Sequence, residues 1–158
     1  MPARRTVTTA IIAVVAACFD TASADMQKVK TRECTIAASG VDFGIYDTLD
    51  AVPDDATGSV TYSCTKGGGA VVISIDRGSS GSFDRSMSGG ADRLSYNLYL
   101  DVGHTRIWGD GSSGTATLED KVPANGKPIT ETVYGRVFPR QSVASGRYTD
   151  ALVVTMQF

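Results

Sequence analysis

The sequence has few of the side chains that most often carry chemistry. It contains one histidine, one tryptophan and three cysteines in 158 residues. A single histidine cannot build a histidine metal cluster, and the widely spaced cysteines fit neither a CxxC redox centre nor a four-ligand zinc site. The GxSxG motif of serine hydrolases is also missing. We therefore expect a protein that is not an enzyme and that needs no cofactor or metal.

Clustered positive charge is missing as well. Lysine and arginine together number 15, against 17 aspartates and glutamates, for a net charge of −2. The basic residues are scattered singly among acidic ones, whereas binding to phosphate backbones needs lysines and arginines in clusters. We expect no nucleic-acid partner.

No hydrophobic run is long enough to span a membrane. The longest is Ala10 to Phe19, about half of the roughly 20 residues that a spanning helix needs. Arg4 and Arg5 precede it, and the small residues of Ala22-Ser23-Ala24 follow it. This order predicts a signal peptide over residues 1–24, cleaved before Asp25.

A second processing route stays open at the same end of the chain. Val15-Ala16-Ala17-Cys18 resembles a bacterial lipoprotein processing box, which would leave Cys18 as a lipidated N-terminus. Mass spectrometry of the mature N-terminus distinguishes the two routes.

The chain without its first 24 residues has the size of one domain. About 134 residues remain, with 13 basic and 16 acidic side chains, which is enough to bury a core. Cys34 and Cys64 are the two cysteines left, so an exported chain allows one pairing. The predicted disulfide closes a loop of about 30 residues, worth roughly 3 to 4 kcal/mol in the chain-entropy model.

Alternation of apolar and polar residues predicts short strands with one buried face. Glycine-rich loops separate these windows at 65–70, 78–90 and 109–114, and no long helical window competes. This pattern is typical of an antiparallel β-sandwich. The strand windows and their apolar positions are Val60, Tyr62 and Cys64; Val71, Ile73 and Ile75; Leu94, Tyr96, Leu98 and Leu100; and Tyr148 to Phe158.

The remaining polar features are interpreted as turns. His104 is assigned to a solvated turn, Gly67 to Gly69 to a hairpin tip, and Trp108 to Gly111 to a tight turn without the oxygen ladder of a calcium loop. The acidic stretch Asp47, Asp50, Asp54 and Asp55 is interpreted as a solvated loop.

Several short motifs, taken in order, resemble the spore coat protein U family, which includes the subunits of archaic chaperone-usher pili. The resemblance covers the chain from Cys34 onward. The motifs are Cys34-Thr-Ile-Ala, Phe43 to Asp47, Gly58 to Cys64, Arg85-Ser-Met87, Leu94 to Tyr99, Trp108 to Gly111, Val133 to Arg136 and Gly146 to Asp150.

The resemblance implies an all-β fold, an incomplete immunoglobulin-like antiparallel sandwich over residues 34–158 that lacks its last strand. In such a family a periplasmic chaperone first fills the resulting groove, and the N-terminal segment of the next subunit then replaces it. The final strand would border this acceptor groove, lined by Leu152, Val154, Met156 and Phe158. The same four residues are equally compatible with the ordinary core of a complete sandwich.

The N-terminal extension, residues 25–33, makes a weak candidate donor strand. Its apolar residues are Met26 and Val29, which are three residues apart and so lie on opposite faces of a strand. Lys28, Lys30 and Arg32 would be costly in an apolar groove. The chain therefore resembles a subunit that accepts a strand better than it donates one, such as a terminal or tip-like subunit or a coat protein.

The sequence thus predicts a secreted structural subunit of a surface pilus, fibre or coat, assembled with a periplasmic chaperone, an outer-membrane usher and neighbouring subunits. It would cross the inner membrane, pass through the periplasm and reach the cell surface. The alternative is a tip-like adhesin or extracellular binding module of the same fold. Trp108 and Tyr99, as candidate exposed aromatics, motivate that alternative because they could stack on a ligand.

Overall fold

The chain is built from β-strands. A computed structural model describes residues 6–10, 32–65 and 68–158, and within these ranges the only helix is a 3-10 turn at Gly78–Ser80. The strands of the described ranges are β1 (Thr6–Ala10), β2 (Glu33–Ser39), β3 (Asp54–Thr65), β4 (Gly69–Ile75), β5 (Ser86–Gly89), β6 (Asp92–Tyr99), β7 (Leu118–Val122), β8 (Ile129–Val137) and β9 (Val153–Gln157).

The strands form two sheets with antiparallel pairing throughout. One sheet has the order β1-β9-β4-β7, and the other has the order β2-β3-β8-β6-β5. Buried side chains from both sheets join in one hydrophobic core. The predicted buried faces of β3 and β4 are confirmed, because Val60, Tyr62 and Cys64 and then Val71, Ile73 and Ile75 all point into this core.

The disulfide connects β2 to β3. Cys34 and Cys64 are opposite residues in the register of the two strands, and their sulfur atoms are bonded. The bridge therefore fixes β2, the edge strand that follows the predicted extension, to its neighbour β3.

Three details differ from the sequence-based expectation. The face of β6 that was predicted to be polar is buried at Asn97 and Tyr99. The Arg85 side chain bonds to Asn97, and the ring of His104 packs against Tyr99. Strand β5 lies within the segment 78–90 that was predicted as a loop. The glycine at position 90, with φ of 61°, permits the tight turn that pairs β5 with β6.

The last strand begins later than predicted, at Val153 instead of Tyr148. Thr149 forms an isolated bridge with Ser88, so the residues before β9 bond to β5 and not to β4. From Leu152 on, the predicted alternation holds: Leu152, Val154 and Met156 are buried.

Candidate partner-strand cleft

The outer edge of β9 is the first component of the candidate site. This edge pairs with β1 in antiparallel register, from Thr6 opposite Gln157 to Ala10 opposite Val153. Strand β1 lies inside the segment predicted to be a signal peptide. If residues 1–24 are removed as the sequence predicts, the edge of β9 has no strand neighbour among the described residues, and its outward N–H and C=O groups are free to pair with another chain.

The second component is an open cleft between the two sheets. It has a volume of ≈ 1190 Å³ and lies at the end of the sandwich where β9 begins. Loop residues 40–48 form one wall, and residues 143–149 form the other. The floor is apolar and includes side chains from both sheets, among them Ile75, Leu94, Tyr96, Trp108, Val133 and Val137.

The four predicted groove residues occupy two kinds of position. Leu152 and Val154 line the cleft. Met156 is fully buried in the core, and Phe158 is partly buried beneath the guanidinium of Arg32, whose Cζ is 5.6 Å from the ring centroid. Contact of any of the four with a partner strand remains a prediction.

Tertiary contacts hold the first wall in place. The Tyr46 hydroxyl donates to the carbonyl oxygen of Phe138 at 3.0 Å and accepts from the Gln141 N–H at 2.7 Å. The Phe43 ring packs edge-on against Tyr96, with 6.0 Å between centroids. This wall is therefore a defined surface of the domain.

The second wall is also tied to the body of the protein. The Ala144 N–H donates to a carboxylate oxygen of Asp92 at 2.7 Å, and the Tyr148 hydroxyl donates to the Ala144 carbonyl at 2.8 Å. Both walls are thus fixed while the space between them stays open.

A buried guanidinium supports the floor of the cleft, and the sequence analysis missed it. Arg85 donates to the carbonyl oxygens of Asp76 and Trp108 and to the side-chain oxygen of Asn97, at 2.6 to 3.1 Å. Burial lowers the pKa of Arg85. Alternation gave no signal for this network, because it placed Asn97 on the face of β6 that was predicted to be polar.

The start of β9 is connected to the same network. The Asp76 N–H donates to the Val153 carbonyl at 3.0 Å, and the Val153 N–H donates to the Asp76 carboxylate at 3.0 Å. Nearby, the Tyr96 hydroxyl donates to the Asp150 carboxylate at 2.8 Å. Burial, and then this carboxylate, raise the pKa of Tyr96, so the phenol stays neutral and keeps donating.

The predicted donor residues Met26 and Val29 lie outside the described residues, as do Cys18 and the predicted cleavage site. Arg32, at the end of the predicted extension, is described. Its guanidinium donates to the carbonyl oxygens of Ala70 at 3.2 Å and Gly69 at 3.0 Å. Arg32 therefore belongs to the body of the domain.

Two predicted aromatic contacts and the predicted solvation of the turn at His104 are wrong. Trp108 is only 2% exposed, and its indole N–H donates to the Ile73 carbonyl, while Tyr99 is buried as well. Neither ring can stack on an external ligand. The His104 side chain is 8% exposed rather than solvated, because its ring packs against Tyr99 and Tyr134.

The acidic stretch divides into turn caps and an ion pair. Asp47 and Asp50 each accept the N–H two residues ahead, from Leu49 and Val52. Asp55 pairs with Arg136 through two bonds of 2.7 Å. Across the described ranges, no three histidine, cysteine, aspartate or glutamate side chains group as a metal site, and no helix is long and apolar enough to cross a membrane.

Comparison with known proteins identifies the family. The sequence model of the Spore Coat Protein U domain matches residues 20–155. The chain belongs to the spore coat protein U family. It is also 36% identical over 132 residues to Protein U of Myxococcus xanthus, an alignment that covers 75% of this chain and 71% of that protein.

A solved structure shares the fold of this spore coat protein U domain. It is a chain in the crystal structure of the CsuC-CsuE chaperone-tip adhesion subunit pre-assembly complex, from the archaic chaperone-usher Csu pili of Acinetobacter baumannii. The TM-score is 0.56 at 18% identity, with 81% of this chain and 40% of that chain covered. This chain thus spans two fifths of the length of the solved one. The predicted fold class, an immunoglobulin-like antiparallel sandwich, is confirmed.

Proposed function

We propose that this spore coat protein U domain is a structural subunit of a surface pilus, fibre or coat and that it catalyses no reaction. The main support is the combination at β9: an edge whose only outer neighbour in the described chain is β1, beside an open cleft with an apolar floor. A domain of this kind is completed by a strand from another chain.

The proposed assembly begins when residues 1–24 are removed during export. A periplasmic chaperone strand covers β9, and a strand from a neighbouring subunit later takes its place at the outer-membrane usher. If about four apolar side chains of the incoming strand dock, at roughly 1.5 to 3 kcal/mol each, the gross gain is on the order of 6 to 12 kcal/mol before ordering costs. Lipidation at Cys18 is the alternative fate of the N-terminus.

This chain is proposed to accept a strand better than it donates one. Its extension has only Met26 and Val29 as apolar residues, and Arg32 is engaged with Gly69 and Ala70 of its own domain. The extension left to enter a neighbour is therefore short, as suits a terminal or tip-like subunit or a coat protein. The adhesin alternative no longer has the support of Trp108 and Tyr99, because both rings are buried.

Expression of the chain in the periplasm tests the proposal. Expressed alone, the processed protein should aggregate or be degraded, whereas co-expression with its periplasmic chaperone should yield a soluble one-to-one complex. The measurement is size-exclusion chromatography of periplasmic extracts with intact-mass analysis, which also locates the cleavage site. A processed chain that is soluble and monomeric without any partner contradicts the proposal.

A further inference from the structure

Three exposed apolar side chains lie on one loop beside the cleft. In the loop between β2 and β3, Ile45 is 97% exposed, Leu49 is 85% exposed and Val52 is 65% exposed. We call these three residues the apolar lip. Exposed aliphatic side chains grouped in this way are more typical of an interaction surface than of a solvated loop.

The loop holds the lip in one conformation. Three aspartates cap successive turns by accepting N–H groups two residues ahead: Asp42 from Gly44 at 3.0 Å, Asp47 from Leu49 at 2.8 Å, and Asp50 from Val52 at 3.0 Å. Such turns fix the local backbone. With Tyr46 anchored to Phe138 and Gln141, the apolar side chains are presented without a need for rearrangement.

The lip is continuous with the cleft, and its position relative to β9 indicates what meets it. Ile45, Tyr46 and Thr48 also line the cleft. Strand β1 runs from Gln157 toward Val153 of β9, which is the direction of the cleft. A partner strand that takes the same course passes β9 first and then leaves the cleft between the two loop walls.

A strand supplied as an N-terminal extension is followed in sequence by the domain to which it belongs. On this course the donor's folded domain emerges next to the lip. We propose that the apolar lip contacts the folded domain of the subunit that donates the strand, as a second interface beside the strand itself. The proposal rests on the proposed function.

The charge around the lip specifies the partner surface further. Asp47 and Asp50 are exposed between the apolar residues, and Asp42 is exposed just before them. The complementary surface on the donor is therefore an apolar centre with lysine or arginine at its rim, close to the point where the donor strand joins its domain.

Site-specific photo-crosslinking tests the proposal in cells that export and assemble the chain. Benzoylphenylalanine replaces Val52 on the lip, Arg147 in the second cleft wall or, as a control, the exposed Val102 on a different loop. We expect Val52 to crosslink to peptides of a neighbouring subunit's folded domain, Arg147 to crosslink to that subunit's N-terminal segment, and Val102 to give neither product.

The outcomes separate the two proposals. Suppose that the probe at position 147 captures an N-terminal segment, while the probe at position 52 gives no product or crosslinks only to the chaperone or only to lipid. The lip proposal is then wrong, while strand acceptance stands. If Arg147 captures no N-terminal segment, the proposed function fails and the lip proposal fails with it.

A double variant measures the contribution of the lip. Leu49→Ser with Val52→Ser changes two exposed residues that do not line the cleft, and Val102→Ser is the matched control. We expect the double variant to dissociate from surface polymers at least about tenfold faster on heating, equivalent to about 1.4 kcal/mol, and the control to match wild type. Equal dissociation of all three, with equal thermal unfolding, would overturn the proposal.

Discussion

Gly135 is the residue that lets the first cleft wall approach the sheet. It is buried in β8, and a Cβ at this position would lie 2.7 Å from Phe43 Cζ and 2.8 Å from Val41 Cγ1. Both neighbours line the cleft. The absence of a side chain on β8 therefore determines where the loop wall lies.

We predict that Gly135→Ala destabilises the domain by about 1 to 3 kcal/mol, because the wall must shift to relieve the overlap. The melting temperature, compared with wild type purified in the same form, should fall by several degrees. Gly146→Ala is the matched control, since a Cβ at Gly146 has nothing within 4 Å. Equal melting of the two variants would contradict this account of the wall.

Asp55 makes the stability of the domain depend on pH. The hydrogen bonds from Arg136 lower the pKa of Asp55, and His104 contributes a smaller effect in the same direction. A carboxylate whose pKa is lower in the folded state stabilises the fold above its unfolded pKa, and this contribution is lost as the pH falls through the folded pKa.

Asp55→Asn should therefore lower the free energy of unfolding at pH 7, by under about 1 kcal/mol because the pair is largely exposed. The difference from wild type should shrink as the pH falls below about 4. Urea unfolding of both proteins between pH 7 and pH 2 measures it. A difference that stays constant over this range would show that the ionised carboxylate is not its source.

At the scale of elements, the Arg85 guanidinium joins β6 to the segments that follow β4 and precede β7. It does so through main-chain carbonyls of Asp76 and Trp108 together with Asn97. Because Asp76 also bonds Val153, the same network positions the start of the strand that we propose as acceptor.

We predict that Arg85→Lys and Arg85→Met each lower the free energy of unfolding by at least about 2 kcal/mol. Lysine keeps the charge but cannot reach three separated acceptors with one ammonium group, and methionine leaves buried carbonyls unpaired. Arg77→Lys is the control, because Arg77 is exposed and its guanidinium, like that of Arg85, lies over the Phe83 ring. Full rescue by lysine would indicate that charge alone matters at position 85.

Sequence analysis predicts buried strand faces better than strand ends, since it placed the start of β9 at Tyr148 instead of Val153 and β5 in a loop. Alternation identified the buried faces of β3 and β4, and prolines at 53, 123, 128 and 139 fall beside the ends of β3, β7 and β8. The burial of Trp108 and Tyr99 was not predictable in this way. It depends on loops that fold back onto β6 from elsewhere in the chain.

The cleft itself has no local signature in the sequence. Leu152 and Met156 belong to the same alternation, yet only Leu152 borders the open volume. The difference arises from the loop walls 40–48 and 143–149, whose positions depend on contacts such as Tyr46 with Phe138. Periodicity therefore predicted an apolar face. Where that face is left uncovered depends on the whole fold and could not be predicted from periodicity.

At the scale of the whole molecule, the direction and register of pairing with β9 determine which residues of a partner strand face the core. Val154 and Met156 face the core, and opposite residues of antiparallel neighbours place their side chains on the same face. A strand in this position therefore needs apolar residues opposite Val154 and Met156, the places that Thr9 and Val7 have in the β1 register.

This requirement predicts that the chain can be made self-sufficient. An Asn-Gly turn after Phe158, followed by a strand with apolar residues opposite Met156 and Val154, supplies an antiparallel neighbour through a two-residue hairpin. We expect the processed chain with this extension to be soluble and monomeric without a chaperone. Its melting should be cooperative in thermal scans, with its mass measured by light scattering.

The matched control has the same extension shifted by one residue, so that its apolar side chains fall opposite Val153, Thr155 and Gln157 on the outer face. Composition and length are equal in the two proteins, and only the face presented to the core differs. The shifted version should still aggregate when expressed alone. If both versions are equally monomeric, a strand of any pattern satisfies β9, and complementation by apolar side chains is not what the missing partner provides.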